Sequence, residues 1–210
     1  MHPNGKTIVY MLGYRGRMWQ AKRHLKVLQS AGYSLFVMDF VDILKRREPS
    51  DLVNLMDEVS AVLKEKNLIV ADTLLVGVSL GGLVGYNLIR RHAQLNKLFV
   101  ITGGDMTHIP SPKSLEKHWK LSREQLAKQW EDVNIYTPVG QMRSKHIVML
   151  LPTRDRMINP VEVATEIAKH TSFNDFTVLN THGGHFRTII TQTITSPKKS
   201  LQFIKRLAEL

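Results

Sequence analysis

One short segment carries a residue type and spacing suited to nucleophilic chemistry. Gly77-Val78-Ser79-Leu80-Gly81 fits the pattern G-x-S-x-G. Five residues with three fixed are easily met by chance, so the setting supplies the specificity. An apolar run, Thr73 to Val78, precedes the serine, and a helical pattern from Leu80 to Arg91 follows it. A sharp strand-to-helix turn at that point lifts the serine hydroxyl clear of a sheet, and the flanking glycines leave space for it. A helix-capping serine in a glycine-rich turn is the plainer alternative.

A serine hydroxyl is a poor nucleophile until a base takes its proton, and the base must be oriented by a third group. In this motif's chain order the acid and the histidine come after the serine. Asp155 lies in Pro152-Thr153-Arg154-Asp155-Arg156, just past a strand-like run. The C-terminal ends of strands are where α/β sheets place ligands and reacting groups. Asp105, after an earlier strand, is the rival acid. Thr181-His182-Gly183-Gly184-His185 offers two histidines in a loop beyond the last strand. His185 is the expected base, because the two glycines before it let the chain turn back; His182 reads as a neighbour.

Acyl transfer also needs donors for a developing oxyanion. One candidate is the backbone N–H of Leu80, the residue after the serine, and the second is that of Tyr14 in Leu12-Gly13-Tyr14-Arg15-Gly16. Arg15 could meet an anionic substrate, although a solvated loop arginine is the simpler reading. Trp119 and Trp130 are candidate substrate contacts within residues 105–145. That stretch holds Pro110, Pro112 and a capping box at Ser122-Arg123-Glu124-Gln125 but no convincing strand. An insertion of that length is usually a lid or binding element. Its apolar side chains could equally pack into the core.

These residues need a scaffold that brings strand ends together. Apolar runs at Thr7–Leu12, Ser34–Met38, Thr73–Val78, Leu98–Ile101, His146–Leu151 and Phe176–Leu179 alternate with helix-period segments. The alternation predicts βαβ units around a mostly parallel central sheet flanked by helices, with a short helical lid. Leu52, Leu55, Met56, Val59, Val62 and Leu63 recur at helical spacing and form a core-facing stripe. Asn159-Pro160 reads as a helix start, and residues 187–210 read as helix with an interruption near Pro197.

With 210 residues and 43% apolar content, the sequence fits a single domain, 1–210. There is no cysteine, which excludes disulfides and thiolate chemistry and suits a reducing, cytoplasmic setting. No apolar run is long enough to span a membrane, and the N-terminus leaves no room for a signal peptide. The nine histidines follow no metal-ligand spacing, and no phosphate-cradling glycine pattern occurs, so neither metal nor cofactor is expected. The net charge is +11, but its excess is shared almost evenly between residues 1–105 and 106–210, without a basic tail. Nucleic acid is therefore an unlikely partner.

Taken together, Gly13-Tyr14-Arg15-Gly16, Gly77-Val78-Ser79-Leu80-Gly81-Gly82, Asp155 and Gly184-His185 run in the order of the α/β-hydrolase fold family. The chain resembles its small esterase- and lipase-like members over nearly its whole length. The resemblance implies Ser79, His185 and Asp155 as a triad and oxyanion donors at Tyr14 and Leu80. It also implies a small-molecule ester or thioester substrate, cleaved through an acyl-enzyme, and a lid at about 105–145. Leu12 and Val78 stand where many members carry histidine, which blurs the subfamily. Amide or peptide cleavage on the same scaffold, and a non-catalytic binding protein that retains it, are the alternatives.

Overall fold

The computed structural model describes residues 4–14, 16–39, 52–103, 122, 124, 125, 128, 145–155, 159–161, 163–165 and 176–210. Strands β1 (Thr7–Met11), β2 (Ser34–Met38), β3 (Thr73–Val78), β4 (Lys97–Ile101), β5 (His146–Pro152) and β6 (Phe176–Thr181) form one sheet. Its order is β2-β1-β3-β4-β5-β6. Every described pairing is parallel. The central strands β3 and β4 are buried from end to end, as continuous apolar runs in a two-sided parallel sheet must be.

Helices described along their whole length are α1 (Met18–Ser30), α2 (Leu52–Glu65), α3 (Leu80–Arg91), α4 (His185–Ile190) and α5 (Pro197–Glu209). A single π-helical turn, Thr191–Thr195, continues α4. Two-residue alternation along the strands sorts the core into two layers. On β1 and just past its end, Ile8, Tyr10 and Leu12 face α1 and α5, joining Ala21, Leu25, Leu28, Ile204 and Leu207. Val9 and Met11 face the other way, toward Leu55, Met56, Val59 and Leu63 of α2 and Leu83, Val84 and Leu88 of α3. The side chains of Leu52 and Val53 lie outside the described residues.

This division follows from handedness. Parallel crossovers are right-handed, so reversing the direction of travel across the sheet moves the connecting helix to the opposite face. The chain goes from β1 to β2 in one direction through α1. It then returns past β1 to β3 and onward to β4 through α2 and α3. The loops leaving β1 and β3 therefore diverge to opposite faces and open a crevice between two adjacent strand ends.

Two buried polar arrangements lock the layers, and neither is evident from hydrophobic pattern. Lys145 heads β5, and its Nζ donates to the carbonyls of His92 (3.2 Å), Ala93 (2.9 Å) and Leu95 (2.6 Å) just past α3. An ammonium there satisfies carbonyls that the helix cannot and complements its negative end. On the other face, His24 of α1 is fully buried. Its Nδ1 lies 3.1 Å from the Tyr10 hydroxyl and its Nε2 2.9 Å from Ser200 Oγ. Ser200 has one proton, directed to the Pro197 carbonyl at 2.9 Å. The serine therefore accepts from Nε2–H, and Nδ1 accepts from Tyr10. That assignment needs a neutral imidazole. It ties β1, α1 and α5 together.

Burial lowers the His24 pKa from 6.5 to about 4. Between those values the unfolded chain binds the extra proton, so the folded state loses stability as pH falls from 6.5 toward 4. The loss is about 3 kcal/mol at pH 4. Thermal melts across this window should show a steep fall in Tm for the native chain and a shallower one for His24→Gln. Equal slopes would remove His24 from the account.

Candidate active site

The crevice between the ends of β1 and β3 is where Ser79 sits. It occupies the turn between β3 and α3 with φ 52° and ψ −115°, a conformation that costs a non-glycine residue energy and that its surroundings must enforce. Enforcement comes from both sides. The Ser79 N–H donates to the Ile101 carbonyl at 2.9 Å, and the Ser79 carbonyl accepts from Gly82 N–H at 2.8 Å. A Cβ on Gly77 would collide with the Gly81 carbonyl, and one on Gly81 with the Met11 carbonyl. The two glycines of the motif are thus required by backbone approaching backbone, and the helix can start directly above the strand. Ser79 itself is half-buried rather than sealed.

His185 and Asp155 arrive from β6 and β5. The loops after these strands are stitched together: Thr153 N–H donates to the Thr181 carbonyl and Arg154 N–H to the Gly183 carbonyl, each at 2.9 Å. Gly183 adopts φ 129°, which a side chain would strain. Gly184 approaches the Arg154 carbonyl, which a Cβ would meet at 3.3 Å. The sequence expectation placed His185 in a loop. The structure instead makes it the first residue of α4, with Gly184 as N-cap, so helical backbone holds the imidazole. His182 is exposed in the preceding bend.

The result is a line of hydrogen bonds. His185 Nε2 is 3.0 Å from Ser79 Oγ, and His185 Nδ1 is 2.8 Å from Asp155 Oδ2. The imidazole and carboxylate are almost wholly buried, their side chains 4% and 1% exposed. A neutral ring donates from Nδ1 to the carboxylate and accepts at Nε2 from the serine hydroxyl. Such a line can move a proton off the serine without solvent.

The Gly13–Tyr14 loop closes the other side of the crevice. A Cβ on Gly13 would lie 3.2 Å from Ser79 Cβ and 3.1 Å from the Val78 carbonyl, so this loop passes directly against the serine. A Gly16 N–H to Gly13 carbonyl bond of 2.8 Å closes it as a turn. Leu80 is the first helical residue of α3, a position whose N–H has no partner within its own helix.

Arg15, Asp105, Trp119 and Trp130 lie outside the described residues, as does most of the 105–145 stretch. Within that stretch Ser122 and Gln125 make the reciprocal bonds of a capping box, Ser122 N–H to Gln125 Oε1 at 2.7 Å and Gln125 N–H to Ser122 Oγ at 3.3 Å. Among the described residues, no group of three or more His, Asp or Glu could hold a metal ion. No described helix is long and apolar enough to cross a membrane.

The sequence matches no protein-family model and no curated protein sequence. Solved structures, by contrast, superpose over nearly the whole chain. The type II thioesterase BorB of the borrelidin biosynthetic cluster is 18% identical, with 99% of this chain and 93% of that one covered, at a TM-score of 0.68. MGS-MChE2, an α/β hydrolase enzyme from a lagoon-sediment metagenome, is 15% identical over 98% and 91% of the two chains, with a TM-score of 0.68. A monoacylglycerol lipase of Paleococcus ferrophilus is 13% identical over 99% and 94%, with a TM-score of 0.65. Identities this low speak for architecture rather than chemistry. On that architecture, from strand order to the strained serine turn, the chain has the α/β-hydrolase fold.

Proposed function

We propose that the protein is a serine hydrolase that cleaves a carboxylic ester or thioester through an acyl-enzyme. The observation that carries this reading is the imidazole of His185, within hydrogen-bond distance of Ser79 on one side and Asp155 on the other. Fold likeness to a thioesterase and a lipase is consistent with an acyl substrate.

In this reading Ser79 Oγ attacks the acyl carbonyl as its proton passes to His185 Nε2. Asp155 keeps the Nδ1–H tautomer in place and stabilises the imidazolium that forms. The N–H groups of Leu80 and Tyr14 receive the oxyanion, which lowers the barrier because they are fixed before charge develops. His185 then protonates the departing alcohol or thiol. Water, activated by the same nitrogen, releases the acid. The strained serine backbone serves this sequence by holding the hydroxyl between the histidine and both donors.

Against a panel of p-nitrophenyl esters and acyl thioesters, Ser79→Ala should lower turnover by about 10⁴–10⁶-fold with an unchanged melting curve. Turnover near the native rate would remove Ser79 as nucleophile.

Asp155→Asn should lower kcat by about 10⁴-fold, since the amide favours the wrong imidazole tautomer. In the same assay His185→Ala should approach the serine variant, while exposed His182→Ala should stay close to the native enzyme. A reversed order of the two histidines would transfer the base role to His182.

A further inference from the structure

Basic residues that the sequence scatters are collected by the fold onto one face. Helices α1 and α5 pack side by side over the same layer of the core, although they come from opposite ends of the chain. Lys22, Arg23 and Lys26 are exposed on α1, and Lys198, Lys199, Lys205 and Arg206 are exposed on α5. Glu209 is the only acid of the two helices. On the opposite layer, Lys64, Arg90 and Arg91 of α2 and α3 are balanced by Asp57, Glu58 and Glu65. Among these four helices the charge is therefore one-sided, with seven Lys and Arg against one acid on α1 and α5 and three against three on α2 and α3.

Between the two basic helices runs a groove of about 400 Å³. Arg23 and Lys26 line one wall and Lys198 and Lys205 the other, over a floor that includes Val27 and Leu201. No ion pair among the described residues involves these four cations. The face also has apolar projections. Trp19 is 68% exposed at the first turn of α1. Helical spacing puts it in one stripe with Lys22, Arg23 and Lys26, at i, i+3, i+4 and i+7. Phe186 and Ile190, one turn apart on α4, are exposed as well. The π-helical turn that continues α4 packs against α1, so they belong to the same layer.

We propose that this α1–α5 face docks on an anionic lipid bilayer. Cations spread over two parallel helices, an aliphatic groove floor and an exposed tryptophan fit the headgroup zone of a membrane. There phosphates meet Lys and Arg, while indole and alkyl groups settle below them. A duplex nucleic acid is less well matched, because its backbone offers phosphates to the cations but no apolar zone for Trp19, Phe186, Ile190 and the aliphatic groove floor. Docking has a geometric consequence. Trp19 lies at the end of α1 that follows the loop against Ser79, so the crevice would open beside the bilayer.

Co-sedimentation with vesicles of equal parts phosphatidylglycerol and phosphatidylcholine tests the proposal. The native chain should bind them at 50 mM salt, release at 500 mM, and ignore pure phosphatidylcholine. The paired variant Lys26→Glu with Lys198→Glu should lose at least tenfold in affinity with an unchanged melting curve. The control pair Lys64→Glu with Lys66→Glu, equal in charge change but on the other side, should lose far less. Trp19→Ala should also weaken binding. Absence of vesicle binding at low salt, or equal losses in the two paired variants, would overturn the assignment. Retention on duplex DNA without retention on anionic vesicles would overturn it too. None of these readouts depends on hydrolytic activity.

Discussion

The close approach of backbone to backbone around Ser79 is the constraint on which the rest of the structure depends. The serine can hold its strained dihedrals only because Gly77, Gly81 and Gly13 let β3, α3 and the β1 loop converge without side chains between them. Strain of this kind costs on the order of 1–3 kcal/mol and must be over-determined by its surroundings. Here the surroundings are the most completely buried strands of the sheet, β3 and β4, and the Ser79 N–H is held by the end of β4. Core packing and site geometry are thus one problem: loosening the sheet would release the serine.

The same logic extends outward. Crossover handedness sends the β1 and β3 loops to opposite faces, and Ser79 stands in the crevice that opens between them. The acid and the histidine are delivered by neighbouring strands whose loops share two backbone hydrogen bonds. Asp155 and His185 are consequently positioned by main chain rather than by side-chain packing alone. Lys145 and His24 play the corresponding part further out, closing helix ends and layers that apolar contacts leave polar.

Much of this was legible in the sequence, and the reasons can be given residue by residue. The continuous apolar runs of β1 and β3 and the stripe on α2 reveal strands and helices because burial imposes those periods directly. Ser79, Asp155 and His185 could be singled out because each follows a strand at its C-terminal end, and the fold brings these three within hydrogen-bond distance. The helical start at His185 was not legible, since Gly183-Gly184 reads as a flexible loop while its φ values and neighbours make it a cap. His24 did leave a signal: it shares the buried face of α1 with Ala21, Leu25 and Leu28. Its partner Tyr10 is 14 residues away and Ser200 is 176 away, separations that no local pattern spans. The charge asymmetry was hidden for the same reason, because an even distribution along the chain says nothing about which helices pack together.

The central claim is that the Ser79–His185–Asp155 line activates one hydroxyl above all others. Reaction of the folded protein with a fluorophosphonate probe, followed by intact-mass and peptide analysis, tests it most directly. The account predicts a single adduct carried by Ser79 and strongly slowed by Asp155→Asn. Labelling that is absent from the folded protein, or that falls on another residue while Ser79 stays unmodified, would contradict it.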